Sequence, residues 1–155
     1  MTDNITIRNA LETDRAFIFE LSPRLAEVAA LTWHTNSIVQ KMQDDYITEM
    51  LEQTSIPRAT LIAEKNEIPL GFVHARAHKD SISDETCGTV PLLAVAPAAQ
   101  GMGVGQLLMQ AAEAWAKEQG YRLLHLEVFA NNDKARGFYQ NLGFEAETLH
   151  MIKPL

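Results

Sequence analysis

Between Leu92 and Leu108 the sequence reads LLAVAPAAQGMGVGQLL, an apolar run joined to a helical stripe through a turn that holds Gly101, Gly103 and Gly105. Leu92, Leu93, Ala94 and Val95 suit a buried strand, and Pro97 ends it because proline lacks the backbone donor a ladder needs. Leu107, Leu108, Ala111, Ala112 and Trp115 then recur at helical spacing. The glycines strip side chains from the backbone where that helix starts, so its first-turn amides lie open at a positive helix end, a place that binds anions. A dinucleotide fingerprint would need glycine at position 106, which is Gln106, and a Walker A loop would need Gly-Lys-Ser/Thr there. Two readings stay open from this stretch alone: a turn chosen for tight packing, or a phosphate cradle.

A chain of 155 residues with 46% hydrophobic content can bury a substantial core without staples, and one domain over residues 1–155 is expected. Cys87 is the single cysteine, so no internal disulfide forms and a reducing compartment is favoured. The N-terminal MTDNITIRNA lacks a basic segment followed by an apolar one, and no apolar run approaches the ~20 residues that span a bilayer. The expectation is a cytoplasmic protein with no membrane partner. The net charge of -7 and the absence of a Lys/Arg cluster argue against nucleic acid and mildly favour a cationic substrate.

Along the chain, Ile5 and Ile7 alternate with polar residues in a short strand, and Thr13 and Asp14 offer a cap for a helix carrying Phe17, Ile18 and Leu21. Ser22-Pro23 predicts a break or a new first turn, continued by Leu25, Val28 and Ala29. Thr35 or Asn36 caps a helix whose core stripe is expected to be Val39, Met42, Tyr46 and Met50. Residues 60–64 and 70–77 read as a hairpin around 65–69, and 78–85 as a surface loop. After the glycine turn the helix runs to Gly120, and Leu124, Leu126 and Val128 alternate in a further strand. Asn131, Asn132 or Asp133 caps a short helix with Ala135, Phe138, Tyr139 and Leu142, ended by Gly143, and Phe144 to Ile152 reads as a final strand. The order predicts an α+β layer with a parallel crossover in its centre.

Two stretches taken together, Val95 to Gly105 (VAPAAQGMGVG) and Leu126 to Phe144 with Asn132, Ala135, Tyr139 and Leu142-Gly143-Phe144, resemble the GNAT superfamily of acyl-CoA-dependent N-acetyltransferases. The first matches the family's Gln/Arg-x-x-Gly-x-Gly/Ala loop, the second its Asn-x-x-Ala-x-x-x-Tyr helix followed by Leu-Gly-Phe. The resemblance is close over residues 86–155 and covers the first half only in its pattern of elements. It implies a single GNAT-like domain with a mixed central sheet of about six strands, mainly antiparallel with one splayed parallel pair, and helices on both faces.

The resemblance further implies acetyl-CoA as acyl donor and no metal. The pyrophosphate would meet the amides of Gln100, Gly101, Met102, Gly103, Val104, Gly105 and Gln106, and the pantetheine arm would pair with the backbone of Leu93, Ala94 and Val95. Asn132 and Ala135 would complete the cofactor site, although an N-cap role is reason enough for Asn132. The loop from Gln100 to Gln106 holds no Lys or Arg, unlike that of many relatives, which leaves Lys134 and Arg136 as partners for the ribose phosphate or as solvated surface charges.

In this reaction a neutral amine attacks the thioester carbonyl and a thiolate leaves. Tyr139 matches the family's general acid, with a core aromatic as its alternative role; an amide at residues 93–95 would hold the oxyanion. Some relatives carry a Glu on the strand before the glycine loop as general base; the corresponding place here is close to Thr89, which cannot serve. Glu85, His74, His78, His125 and Glu127 are candidates, with Glu127 preferred. His74 and His78 lie roughly 13 Å apart at strand rise and make no metal pair. Only twelve residues follow Gly143, fewer than in many relatives, so the acceptor side is expected to be open or completed by residues 31–50 or by the second subunit of a homodimer. The acceptor is expected to be a primary amine of a small molecule or peptide. The alternative is a non-catalytic acyl-CoA-binding sensor or regulatory domain.

Overall fold

The computed structural model describes residues 4–27, 29 and 31–155. Val28, expected to extend the second helical segment, lies outside the described residues. One five-stranded sheet runs in chain order: β1 (Thr6–Asn9), β2 (Arg58–Lys65), β3 (Ile68–Lys79), β4 (Thr86–Val95) and β5 (Leu124–His125). The first four strands are antiparallel neighbours, and β4 with β5 makes the one parallel pair. The helices are α1 (Arg15–Glu20), α2 (Ser22–Glu27), α3 (Asn36–Glu52), α4 (Val104–Glu118) and α5 (Asp133–Asn141). The class is the expected α+β with a mixed sheet.

The sheet has a layer on each face. Val73, Ala75 and Val90 pack with Val104, Leu108, Met109 and Ala112 of α4. On the other face Ile62, Phe72, Leu92 and Ala94 pack with Ile18, Leu21, Ile47 and Met50. Each large side chain so buried stabilises by roughly 1.5–3 kcal/mol. Val90 and Leu92 would share a face in a regular strand, yet they enter opposite cores. The cause is a bulge: Leu92 faces His74 and Thr89 faces Arg76, so β4 carries one residue more than β3 across that interval. Pro91, which has no amide to donate, sits inside it.

Several boundaries differ from the sequence reading. The hairpin strands reach Lys65 and Ile68 because Asn66 and Glu67 both take left-handed φ values, 51° and 66°, as a two-residue turn of matching twist requires. β3 continues to Lys79, so the expected surface loop shrinks to residues 80–85 and includes a buried Asp80. On α3 the buried stripe is Val39, Gln43, Ile47 and Met50, rotated from the expected one. Met42 is 43% exposed, and Tyr46 is half-buried. Ile47 and Met50 enter the sheet-facing core while Val39 packs on Ala26 and Ala29; Tyr46 packs against the edge of that core and, with Met42, Ile38, Lys41, Asp45 and Glu49, lines an outer concavity.

The final strand is not formed. Residues 145–155 have no regular structure and are exposed, with Leu149 and Met151 at 76% and 84%. The sheet edge they would need is short: ladder pairing with β5 covers only Gly88↔Leu124 and Thr89↔His125. The expected strand through Val128 therefore stops at His125, and the six expected strands become five.

Candidate active site

β4 ends in a 3-10 turn, Pro97–Ala99, tied back to the sheet by the Ala96 amide, which donates to the Leu70 carbonyl at 2.8 Å. Gly101 and Gly103 then adopt φ of 81° and 76°, left-handed values that cost a residue with a Cβ about 1–2 kcal/mol. A Cβ on Gly101 would meet nothing within 4 Å, whereas one on Gly105 would lie 3.3 Å from the Phe138 ring. Two glycines are thus required by conformation and the third by the approach of α5 to α4. Gly103 is the N-cap of α4 and offers no side chain. The first amide to bond along the helix is that of Leu107, which donates to the Gly103 carbonyl at 3.2 Å. The amides of Val104, Gly105 and Gln106 precede it and face the helix end, where an anion is favoured. Met102, between the left-handed glycines, packs on the core beneath.

The strand leading to this turn has one bonded side. Val73↔Leu93, Phe72↔Ala94 and Gly71↔Val95 pair β4 with β3. On the side of β5 no ladder partner stands among the described residues beyond Thr89. Parting of the two parallel strands leaves the backbone of residues 90–95 as a free edge that runs directly into the glycine turn. Such an edge accepts an extended, amide-bearing chain in strand fashion. Ala94 is buried in the α3 core while Leu93 and Val95 lean on the α4 core, so the edge is held from both faces.

α5 closes the far side. Asn132 Oδ1 accepts from the Ala135 amide at 3.2 Å, which fulfils the cap role and leaves the amide nitrogen of the side chain as a donor. Ala135 is half-buried in the first turn. Tyr139 packs edge-on against Phe138 and Phe144, with ring centroids 5.2 and 5.8 Å away. Burial pushes its phenol up to about 12, so it holds its proton at neutral pH. Lys134 Nζ donates to Gln100 Oε1 at 3.3 Å, bringing a cation to the basic-poor loop. Arg136 instead turns to the Ala130 carbonyl at 2.9 Å.

The candidate bases separate. Glu85 is ion-paired to Arg122, bonded to Ser83 and held below the usual carboxylate range by both. His74 is 1% exposed; its Nδ1 shares a 2.7 Å hydrogen bond with Thr60 Oγ1, and Nε2 has no partner. Burial, with the charges of Arg76 and Arg58, pushes His74 down to about 4, so it is neutral and sealed from an acceptor. His125 Nε2 lies 3.0 Å from Asp80 Oδ2, with the ring of His78 beside it at 5.2 Å. Glu127 is exposed just past the point where β5 leaves β4. A relationship the sequence did not signal links it to Tyr46 of α3, whose phenol is raised by burial and then by the Glu127 charge. Tyr46 packs against the core as its place in the apolar stripe predicts, and its phenol in addition feels Glu127.

A free strand edge runs into an open helix end, and a second helix, α5, carries a protonated phenol. The sequence profile described as the Acetyltransferase (GNAT) family matches residues 25–144. The chain belongs to that family. It is 32% identical over 129 residues to a mycothiol acetyltransferase of Jonesia denitrificans, covering 79% of this chain and 38% of that protein. The chain thus spans less than two fifths of the length of that relative. Among solved structures, a Pyrococcus furiosus protein assigned as an acetyl transferase superposes with a TM-score of 0.80 at 25% identity, covering 97% of this chain and 99% of the other. An aminoglycoside N-acetyltransferase in complex with CoA shares the fold, with a TM-score of 0.65 at 19% identity over 97% of this chain and 94% of that one.

Proposed function

We propose that this chain, as one domain over residues 1–155, transfers an acetyl group from acetyl-CoA to a primary amine of a small molecule or peptide by direct attack. The observation that carries the reading is the continuity of the free β4 edge with the open amides of α4, since one ligand with an extended amide arm and a diphosphate fits both at once. In this reading Leu93, Ala94 and Val95 pair with the arm, the open amides of Val104, Gly105 and Gln106 hold the diphosphate beside the Gln100–Gly103 loop, whose Gln100 and Met102 amides donate inward to the Pro97 and Ala99 carbonyls, and Asn132 and Ala135 border it. Acetyl-CoA supplies an activated acyl group. The neighbour that holds CoA has the same fold, which supports the choice of ligand.

The residues divide the work. Glu127 takes the proton of the incoming ammonium, directly or through water, since an alkylamine with a pKa near ~10.4 is charged at neutral pH. A backbone amide of residues 93–95 stabilises charge on the carbonyl oxygen. Tyr139 returns a proton to the sulfur. Mycothiol and aminoglycosides, named in the relatives, are small molecules, and the net charge of -7 favours a cationic amine among such acceptors. The acceptor enters between α3 and Glu127, where Tyr46 stands, and a second subunit contacting the exposed tail would cover the open side.

Thermal shift with CoA and acetyl-CoA, followed by free-thiol release over polyamines, aminoglycosides, amino acids and peptides, tests the proposal. Stabilisation with turnover supports it; stabilisation without turnover on any amine would favour an acyl-CoA sensor. Light scattering at assay concentration tests the dimer, and a monomer counts against it.

A further inference from the structure

We propose that Asp80, Cys87 and His125 form a site for one zinc-class divalent cation that pins the paired ends of β3, β4 and β5. The three contribute a carboxylate oxygen, a thiol sulfur and an imidazole nitrogen, all within 4.8 Å of one another. Asp80 Oδ2 and His125 Nε2 are 3.0 Å apart. Ligand atoms on a tetrahedral zinc sit roughly 3.3–3.7 Å apart at normal bond lengths, so the observed spacings bracket the required ones and closure takes shifts of about 1 Å. Nitrogen, sulfur and oxygen in one set select zinc or cobalt over magnesium or calcium, which take oxygen alone.

The surroundings are those of a prepared site. Asp80 is 3% exposed and Cys87 is 0% exposed; Cys87 lies in the first pairs of β4, and Asp80 opens the 80–85 loop directly after β3. The other carboxylate oxygen, Asp80 Oδ1, already accepts from the amides of Ile82 and Ser83 at 2.9 and 2.8 Å, the outer support that orients a metal-binding carboxylate. Those amides also keep Asp80 below the usual carboxylate range, and thus charged. His78 stands opposite Cys87 in the ladder and beside the His125 ring, outside the three-ligand cluster, and the fourth position is left to water. The other charged groups nearby are already paired: Glu85 with Arg122, and Asp84 with Lys79.

Without a cation, Cys87 is a buried thiol whose pKa is raised by burial and by the Asp80 and Glu85 charges. Binding reverses that balance: the thiol gives up its proton to solvent as the sulfur–metal bond forms, so uptake releases one proton and strengthens as pH rises. The site lies on the paired side of Thr89↔His125, and the proposed acetyl transfer lies on the parted side. A cation here would fix where the two strands separate. It takes no part in the chemistry and does not depend on it.

The test is titration of chelator-treated protein with cobalt(II), followed by displacement with zinc. One equivalent is expected to bind with a thiolate-to-cobalt charge-transfer band, and zinc is expected to raise Tm. Cys87→Ser should abolish the band, and Asp80→Asn and His125→Gln should each weaken binding at least tenfold. His34→Gln and His150→Gln should change nothing. His125 is half-exposed, so its variant stays informative if the buried Cys87 substitution fails to fold. Absence of stoichiometric binding to the native chain, or binding that survives His125→Gln unweakened, overturns the proposal and leaves a hydrogen-bonded Asp–His pair beside an inert thiol.

Discussion

Lys134 Nζ lies 3.3 Å from Gln100 Oε1, which links the first turn of α5 to the loop that opens α4. Of the two cations in that helix turn, this contact places Lys134 beside a loop with no basic residue of its own, while Arg136 turns away. Lys134→Ala is expected to weaken CoA binding two- to fivefold at low salt, an exposed-charge effect of roughly 0.5–1 kcal/mol that shrinks as salt is added. Arg136→Ala, whose guanidinium faces the Ala130 carbonyl, is expected to leave affinity unchanged. Calorimetric titration of CoA at two ionic strengths checks both.

The glycines of the turn should respond differently to a methyl group. Gly103→Ala forces a Cβ into a left-handed N-cap and should cost about 1–2 kcal/mol in urea unfolding. Gly105→Ala has an ordinary helical backbone and meets the Phe138 ring edge at 3.3 Å and the Val95 side chain at 3.8 Å, so its cost should be under about 1 kcal/mol. Equal losses would contradict the division into conformational and packing glycines.

Tyr139→Phe removes one oxygen and keeps the ring contacts with Phe138 and Phe144. Stability should change by less than about 0.5 kcal/mol, while kcat falls roughly a hundredfold with little change in KM. Because the phenol lies at about 12, the native pH–rate profile should show no loss of this proton below pH ~11. Intact turnover in the variant would return Tyr139 to a packing role.

His74 couples stability to pH. Its folded pKa is about 4, against an ordinary value near ~6.5, so between those values the unfolded chain binds more protons than the folded one. The contribution is complete above pH ~6.5 and is lost as pH falls toward 4, roughly 3 kcal/mol over that window. His74→Gln should flatten this slope in denaturant unfolding measured from pH 7 to 4. Asp14 acts in a lower window: its carboxylate, held down chiefly by Arg8, loses its contribution only below pH ~3.8.

Legibility in the sequence followed the range of the interactions. The strand, glycine turn and helix from 92 to 108 were readable because each element is signalled within a few residues by apolar period, Pro97 and the glycines. Asn132 as a cap and Gly120 and Gly143 as helix stops were readable for the same reason. Long-range facts were not. The face that α3 buries depends on where Ile47 meets β3, and four neighbouring apolar positions fit the helical period almost equally well. The unformed strand at 144–152 has a good strand pattern, but a strand also needs an edge, and β5 offers two residues. The bulge at Pro91 and the meeting of Asp80, Cys87 and His125 arise from pairing registers that no local pattern records.

The central claim is that the β4 edge and the glycine turn together hold acetyl-CoA for transfer to an amine. The most direct measurement is calorimetric binding of acetyl-CoA to the native chain and to Gly103→Ala, with free-thiol release measured on the same samples against a cationic amine panel. Stoichiometric binding that is weakened in the variant, with thiol release that depends on the amine, is the predicted result. Absence of binding to the natively folded chain would contradict the account.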